Sequence, residues 1–357
     1  MNKLILIGNG FDLAHGLKTK YNDFILWYFN NILKSLVERD EFSDQLFEIS
    51  FSQGRVINFP NRADSITQFK ELLEYYKDFL KYRFKCALFD ILFKKTIEPN
   101  WVDIESEYYS YLKNLYIQLE RHDFSNFENI EKQVKSLNND FEFIKVKLQE
   151  YLSTVESTTK SQIPDITEHF RKHFSTVPNA QSSLMFLNFN YTSTIKIYLQ
   201  ELKHKQYKVN YIHGKLDDET NPIIFGYGDE IDSYYQKIEN VNNNAFLKNF
   251  KSFGYLITYN YQDFSRFLDN DSFEVYILGH SCGLSDRTML NKIVEHKNCR
   301  VIKIFYYERS STENDYIEKI HELSRHFSPV NKGRMRDIIK PLSNSVPLVK
   351  CKANKKE

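Results

Sequence analysis

Between Gly54 and Gly214 this 357-residue chain contains no glycine. Glycine is the default residue for tight turns and positive φ, so its distribution constrains the fold strongly. Inside the glycine-free span, from about Ala63 to Phe174, apolar residues recur at three and four. Ile66-Phe69-Leu72-Leu73-Tyr76, Ile104-Tyr108-Tyr109-Leu112 and Phe141-Ile144-Leu148-Tyr151 are examples. That spacing predicts helices, with Pro99, Pro164 and Pro178 at the breaks. The chain has only 11 glycines, about 3% against a usual share of about 7%. Eight of the 11 fall in four short motifs: Gly8, Gly10 and Gly16; Gly214; Gly226 and Gly228; Gly279 and Gly283.

Each motif directly follows a short apolar run. The runs are Lys3–Ile7, Leu184–Phe189, Tyr207–Ile212, Ile223–Phe225, Phe273–Leu278 and Val301–Tyr307; several are nearly continuous, as strands buried on both faces are. Helical patterns at Thr288–His296 and Asn314–His326 follow later runs. Strand–helix alternation predicts an α/β fold: a Rossmann-like, mostly parallel sheet with helices on both faces, carrying a large all-helical insertion. The expected division is an α/β nucleotide-binding domain over 1–60 and 176–343, the insertion over 61–175, and a tail over 344–357. In such sheets ligands bind outside the carboxyl ends of the strands, where glycine lets a backbone N–H approach a phosphate.

Composition narrows the classes. With 48 Lys+Arg against 47 Asp+Glu the net charge is +1, which gives no reason to expect a nucleic-acid partner. No stretch approaches the roughly 18 apolar residues of a membrane span, and the run Leu4–Ile7 is too short for a signal-peptide core. Cys86, Cys282, Cys299 and Cys351 lack close pairing and read as reduced thiols of a cytoplasmic protein; no metal site is expected from them.

Gly8-Asn9-Gly10-Phe11-Asp12-Leu13 opens like the dinucleotide fingerprint, but Leu13 replaces the third glycine. No acidic residue suitably ends a second strand, so an ordinary dehydrogenase is disfavoured. Asp12 is awkward beside a pyrophosphate and suits a helix cap or ribose hydroxyls. His280-Ser281 lies within the letters of a nucleophile elbow, Gly279 to Gly283. That motif needs a helix at once, and Leu284-Ser285-Asp286 reads instead as a loop whose Ser285 or Asp286 caps the next helix. His321 and His326 stand five apart, about 140° around a helix, too far to share a zinc; the segment reads as a solvated helix. Trp101, Asp103 and Glu105 are either an acidic first turn after Pro99 or, if extended, a carboxylate pair for metal or acid/base chemistry.

Ile7-Gly8-Asn9-Gly10-Phe11-Asp12-Leu13-Ala14-His15-Gly16-Leu17, running on through Thr19 to Phe24, resembles the opening signature of the bacterial AbiH abortive-infection family. So do Trp101 to Glu105, Asn188-Phe189-Asn190-Tyr191-Thr192, Tyr211-Ile212-His213-Gly214, Ile223 to Gly228, and Leu278-Gly279-His280-Ser281 to Asp286. The motif order is more distantly similar to sirtuin-like NAD-binding domains, although Thr192 stands where their turn carries an acid and Asp12 where a small hydroxyl residue is usual. The resemblance implies a phage-defence effector, answering a phage-derived trigger, that binds NAD and hydrolyses its nicotinamide–ribose bond. It implies Asn190 and His213 as catalytic residues. It implies Gly8, Asn9, Gly10, Phe11, Asp12, Tyr191, Gly214, Gly226, Gly279, His280, Ser281 and Asp286 around the nucleotide. Control by homo-oligomer assembly or by the insertion is expected of a toxic effector. The alternative is a nucleotide sensor, or a nuclease run from Asp103 and Glu105.

Overall fold

The computed structural model describes residues 1–52, 54, 56, 58–96, 103–121, 124–158, 160–175, 182–203 and 206–351. Among them the strands are β1 (Asn2–Ile7), β2 (Glu41–Ser43), β3 (Phe47–Phe51), β4 (Leu80–Phe84), β5 (Leu184–Asn188), β6 (Tyr207–Tyr211), β7 (Phe273–Leu278), β8 (Cys299–Tyr306) and β9 (Val346–Pro347). The chain forms two compact units.

The first unit comprises Met1–Leu17, Leu152–Ile231 and Phe250–Glu357. Its sheet is six-stranded and wholly parallel, in the order β6-β5-β1-β7-β8-β9. That is the doubly wound order of a Rossmann sheet, and the strand order reverses between β1 and β7. Side chains alternate between two buried faces. Leu4, Leu6, Leu187, Val275 and Ile277 meet helices Asn260–Asn270, Arg287–Glu295 and Tyr316–Ser324 on one. Ile5, Ile7, Phe186, Tyr276 and Leu278 meet Phe11, Ile166, Phe170, Ile195 and Tyr198 on the other. Burial on both sides is why these strands read as continuous apolar runs. Ile7, Asn188 and Tyr211 lie in register, and Ile7 is also level with Leu278. The loops that leave β1, β5, β6 and β7 therefore emerge along one edge.

The second unit comprises Lys18–Tyr151 and Asp232–Asn249, so the packing divides the chain at Lys18 and Tyr151 rather than at the expected 61 and 175. The Tyr21–Arg39 helix belongs to it because its buried face carries Phe29, whose ring contacts Phe47, Phe69, Phe89 and Phe93 at centroid distances of 4.2–5.7 Å. The unit is not all helical. β2, β3 and β4 form an antiparallel sheet. β4 is missed by periodicity because Lys81, Tyr82 and Arg83 are all exposed and only Leu80 is buried.

Two further expectations change. Ile223–Phe225 is not a strand. Its backbone is irregular and apolar because it is buried, and Ile224 N–H donates to the His213 carbonyl at 2.8 Å. Nor is everything from 344 onward a tail. Val346 and Pro347 pair with β8, Leu348 is buried, and its N–H donates to the Tyr306 carbonyl at 2.9 Å.

Candidate functional site

At the β1–β7 reversal the two glycine loops pack on each other. Gly8 N–H donates to the Leu278 carbonyl at 3.2 Å and Gly10 N–H to the Gly279 carbonyl at 2.8 Å. A Cβ on Gly8 would meet His280 Cα at 2.4 Å, and one on Gly10 would meet the Gly279 carbonyl oxygen at 2.7 Å. Gly214, at φ +81°, presses on the Pro222 carbonyl, and Gly228 on that of Ser285. These glycines allow backbone to touch backbone, and the Gly8 and Gly10 amides are engaged within the protein rather than presented to a phosphate. Asn190 joins the arrangement: its Nδ2 donates to the Gly8 carbonyl at 3.1 Å, and its N–H to Asn188 Oδ1 at 3.2 Å. Asn188 Nδ2 in turn donates to the Thr192 carbonyl at 3.1 Å.

Beyond this seam lies a buried charged cluster. Asp286 precedes the Arg287–Glu295 helix, but its side chain does not cap it; the carboxylate turns inward instead. Lys251 Nζ donates to Asp286 Oδ1 at 2.8 Å and to the Ser285 carbonyl at 3.3 Å. His213 Nε2 lies 3.3 Å from Asp286 Oδ1 and 3.3 Å from the Tyr255 hydroxyl. His280 Nε2 lies 3.4 Å from Asp286 Oδ2. The Cys282 N–H donates to His280 Nδ1 at 2.9 Å, which leaves the His280 proton on Nε2, facing the carboxylate. Phe189 packs edge-on against both imidazoles. His213 is 4% exposed and Lys251 2%.

Burial lowers the His213 affinity for a proton, and the Lys251 charge lowers it further against the opposing pull of Asp286. The imidazole is therefore neutral near pH 7. Burial alone would raise the Asp286 carboxyl, but Lys251 and the two histidines hold it well below the ordinary carboxylate range. Burial pushes the Cys282 thiol up to about 12, so it is no nucleophile at neutral pH.

On the opposite face of the sheet, Asp12 sits in the short Asn9–Ala14 helix, 1% exposed. Its Oδ2 accepts from the Thr192 hydroxyl at 2.5 Å. Next to it, Glu156 accepts from Ser193 and from Lys160 Nζ at 2.9 Å. Burial pushes the Asp12 carboxyl up to about 6; the Thr192 and Thr194 hydroxyls oppose the rise, Glu156 adds to it, and Lys160 again opposes. Between the ordinary 3.8 and about 6 the folded chain holds a proton that the unfolded chain has lost. Stability therefore falls as pH rises through that window, and stays lower above it. Asp12→Asn, with nothing to ionise, should be more stable than the parent near neutral pH by about 3 kcal/mol. It should also lose this pH dependence. Urea denaturation at about pH 4.5 and about pH 7.5 checks both statements; parallel pH trends in the two proteins would refute them.

Residues 4–308 match the model of the family described as Bacteriophage abortive infection AbiH. The chain belongs to the AbiH family. No curated protein matches it. The AbiH match contains every loop of the carboxyl edge described above.

Other AbiH residues singled out by sequence are placed as follows. Tyr191 donates through its hydroxyl to the Ile224 carbonyl at 3.3 Å, Gly226 is buried, and Phe11 packs on His15 and Tyr198. Ser281 is exposed, and a short turn, Leu284–Asp286, separates it from the next helix. Asn9 begins the first helix. Trp101 lies outside the described residues. Asp103 caps helix Ile104–Arg121: its Oδ1 accepts from the Glu105 and Ser106 amides at 3.0 and 3.2 Å, the acidic-first-turn reading. Glu105 is buried. Among the described residues no group of three His, Cys, Asp or Glu side chains is placed to hold a metal, and no helix is long and apolar enough to cross a membrane.

Sequence reasoning missed Lys251 and Tyr255, which lie in none of the motifs singled out. It also misread His326. That ring is buried rather than solvated, and its Nε2 donates to the Cys282 carbonyl at 2.8 Å. Lys319, from the preceding helix, donates to the His280 carbonyl at 2.8 Å. Together they hold the 280–282 loop from beneath.

Proposed function

We propose that this AbiH chain is an abortive-infection effector that binds NAD at the carboxyl edge of its parallel sheet and hydrolyses the nicotinamide–ribose bond. The observation that carries this reading is the neutral His213 held on Asp286, whose charge Lys251 secures. A neutral imidazole oriented by a carboxylate is a general base. In the proposed step the bond from ribose C1′ to the nicotinamide nitrogen breaks with its electron pair going to nicotinamide. A water oxygen bonds to C1′, and His213 takes the proton that water loses. The products are nicotinamide and ADP-ribose. Asn190, fixed through Nδ2 to the first loop, would orient water or ribose through Oδ1. The burial of His213 suits an effector kept silent until infection.

The test is nicotinamide and ADP-ribose release during infection. Wild-type cells should accumulate both, with a loss of at least about 100-fold in His213→Ala and a marked loss in Asn190→Ala, each variant being folded by circular dichroism. A folded protein that protects cells while NAD stays constant would reject the reading.

A further inference from the structure

The His213–Asp286 cluster is satisfied internally, whereas unused hydrogen-bonding capacity lies at the same edge on the sheet's other face. Asp12 Oδ1 and the Tyr211 hydroxyl are both buried without a partner among the described residues. Asp12 is 1% exposed and Tyr211 9%. The two are neighbours: Tyr211 closes β6 level with Asn188 of β5, Asp12 reaches Thr192 just beyond β5, and the charges of Asp12 and Glu156 are both felt at the Tyr211 phenol. Tyr211 packs with Ile7, Phe11, Ile195 and Tyr198, whereas Phe189, Ile212, Tyr255 and Cys282 pack on the other face.

A single orphaned polar atom is a defect, but two on neighbouring residues at one sheet edge call for an explanation, and a shared occupant is one. The chemistry of that occupant is narrow. A carboxyl oxygen and a phenol face it, and the neighbouring cation, Lys160, is already held by Glu156, so the place does not suit a phosphate. Two adjacent neutral hydroxyls match it: one donates to the Asp12 carboxylate oxygen, and the other donates to or accepts from the Tyr211 hydroxyl. We propose that Asp12 and Tyr211 clamp the cis-diol of a ribose, on the sheet face opposite the His213 cluster. The assignment of that ribose to NAD rests on the nucleotide reading above.

Titration calorimetry on the full chain tests it, with NAD and with the two analogues in which one ribose or the other lacks its 2′-hydroxyl. Wild type should bind NAD and bind one analogue about 10-fold more weakly. Asp12→Asn and Tyr211→Phe should each weaken NAD binding about 10-fold, while Tyr211→Phe leaves binding of the discriminated analogue nearly unchanged. Because Tyr211 gives up no internal hydrogen bond, the phenylalanine variant should melt no lower than wild type. Variants that bind NAD like wild type, or analogues that bind like NAD, would show that the place holds only water; this inference would fall and the nucleotide reading would stand. Wild type that binds no NAD would defeat both.

Discussion

Lys251→Met should destabilise the protein by about 3–5 kcal/mol near pH 8, the range for breaking one partner out of a buried ion pair. The size follows from what is left behind. Asp286 Oδ1 loses its 2.8 Å cation, and the remaining neighbours are the neutral His213 and the Cys282-pinned His280. Both lie farther off, at 3.3 and 3.4 Å, and Asp286 is only 8% exposed.

The size of the deficit relative to wild type should also depend on pH. In wild type the Lys251 charge is one of the causes, after burial, that lower the His213 affinity for a proton. Without it, burial and His280 still lower that affinity and Asp286 still raises it, so the imidazole holds its proton more tightly than in wild type. A histidine whose folded value rises contributes stability that is present at low pH and disappears as pH increases. The deficit should therefore shrink toward pH 5.5, as an imidazolium replaces the missing ammonium. Adding Asp286→Asn to Lys251→Met should recover much of the loss, since no uncompensated charge then remains. Urea denaturation of the three proteins at about pH 8 and about pH 5.5 measures all of this. A deficit below about 1 kcal/mol, typical of exposed pairs, would show that the pair is not a buried one.

This cluster marks the limit of what the residue order conveys. The strands of the parallel sheet are legible because burial on both faces imposes apolar continuity on Ile5, Phe186 and Ile277 alike. Their exits are legible because glycine follows them. Lys251 and Asp286, in contrast, carry no periodic signal. A lysine after Asn249 and Phe250 looks like surface until packing brings it 35 positions along the chain to a carboxylate. Asp286 is legible as functional through family likeness, but its letters suggest a helix cap, and only the fold turns it inward. The same reasoning explains β4, whose exposed middle residues lack an apolar rhythm. It also explains Ile223–Phe225, where burial without a sheet partner produces an apolar run that imitates a strand. Apolar patterning reports that a segment is buried, and it reports pairing only when the partner strand is also known.

The glycines carry the sharpest test of how this edge is built. Gly279→Ala should destabilise the protein by about 3–5 kcal/mol, joining a left-handed backbone to a backbone collision. At φ +74° an added Cβ would lie 2.1 Å from the Phe11 nitrogen and 2.6 Å from the Gly10 carbonyl carbon. Neither atom can yield easily. Gly10 N–H is bonded to the Gly279 carbonyl, and Phe11 N–H to that of Gly8. Movement at Gly279 would also disturb His280, against whose Cα Gly8 is packed. Gly16→Ala provides the control, because Gly16 has nearly the same φ, +73°, with nothing within 4 Å of an added Cβ. It should lose only the conformational part, about 1 kcal/mol. The difference between the two variants isolates the contact between the β1 and β7 loops. Chemical denaturation gives that difference directly, and equal losses would mean that the loops do not meet as described. If the contact is as close as the geometry requires, Gly279→Ala should also release His280 from Asp286, so infection assays on this variant should lose protection along with stability.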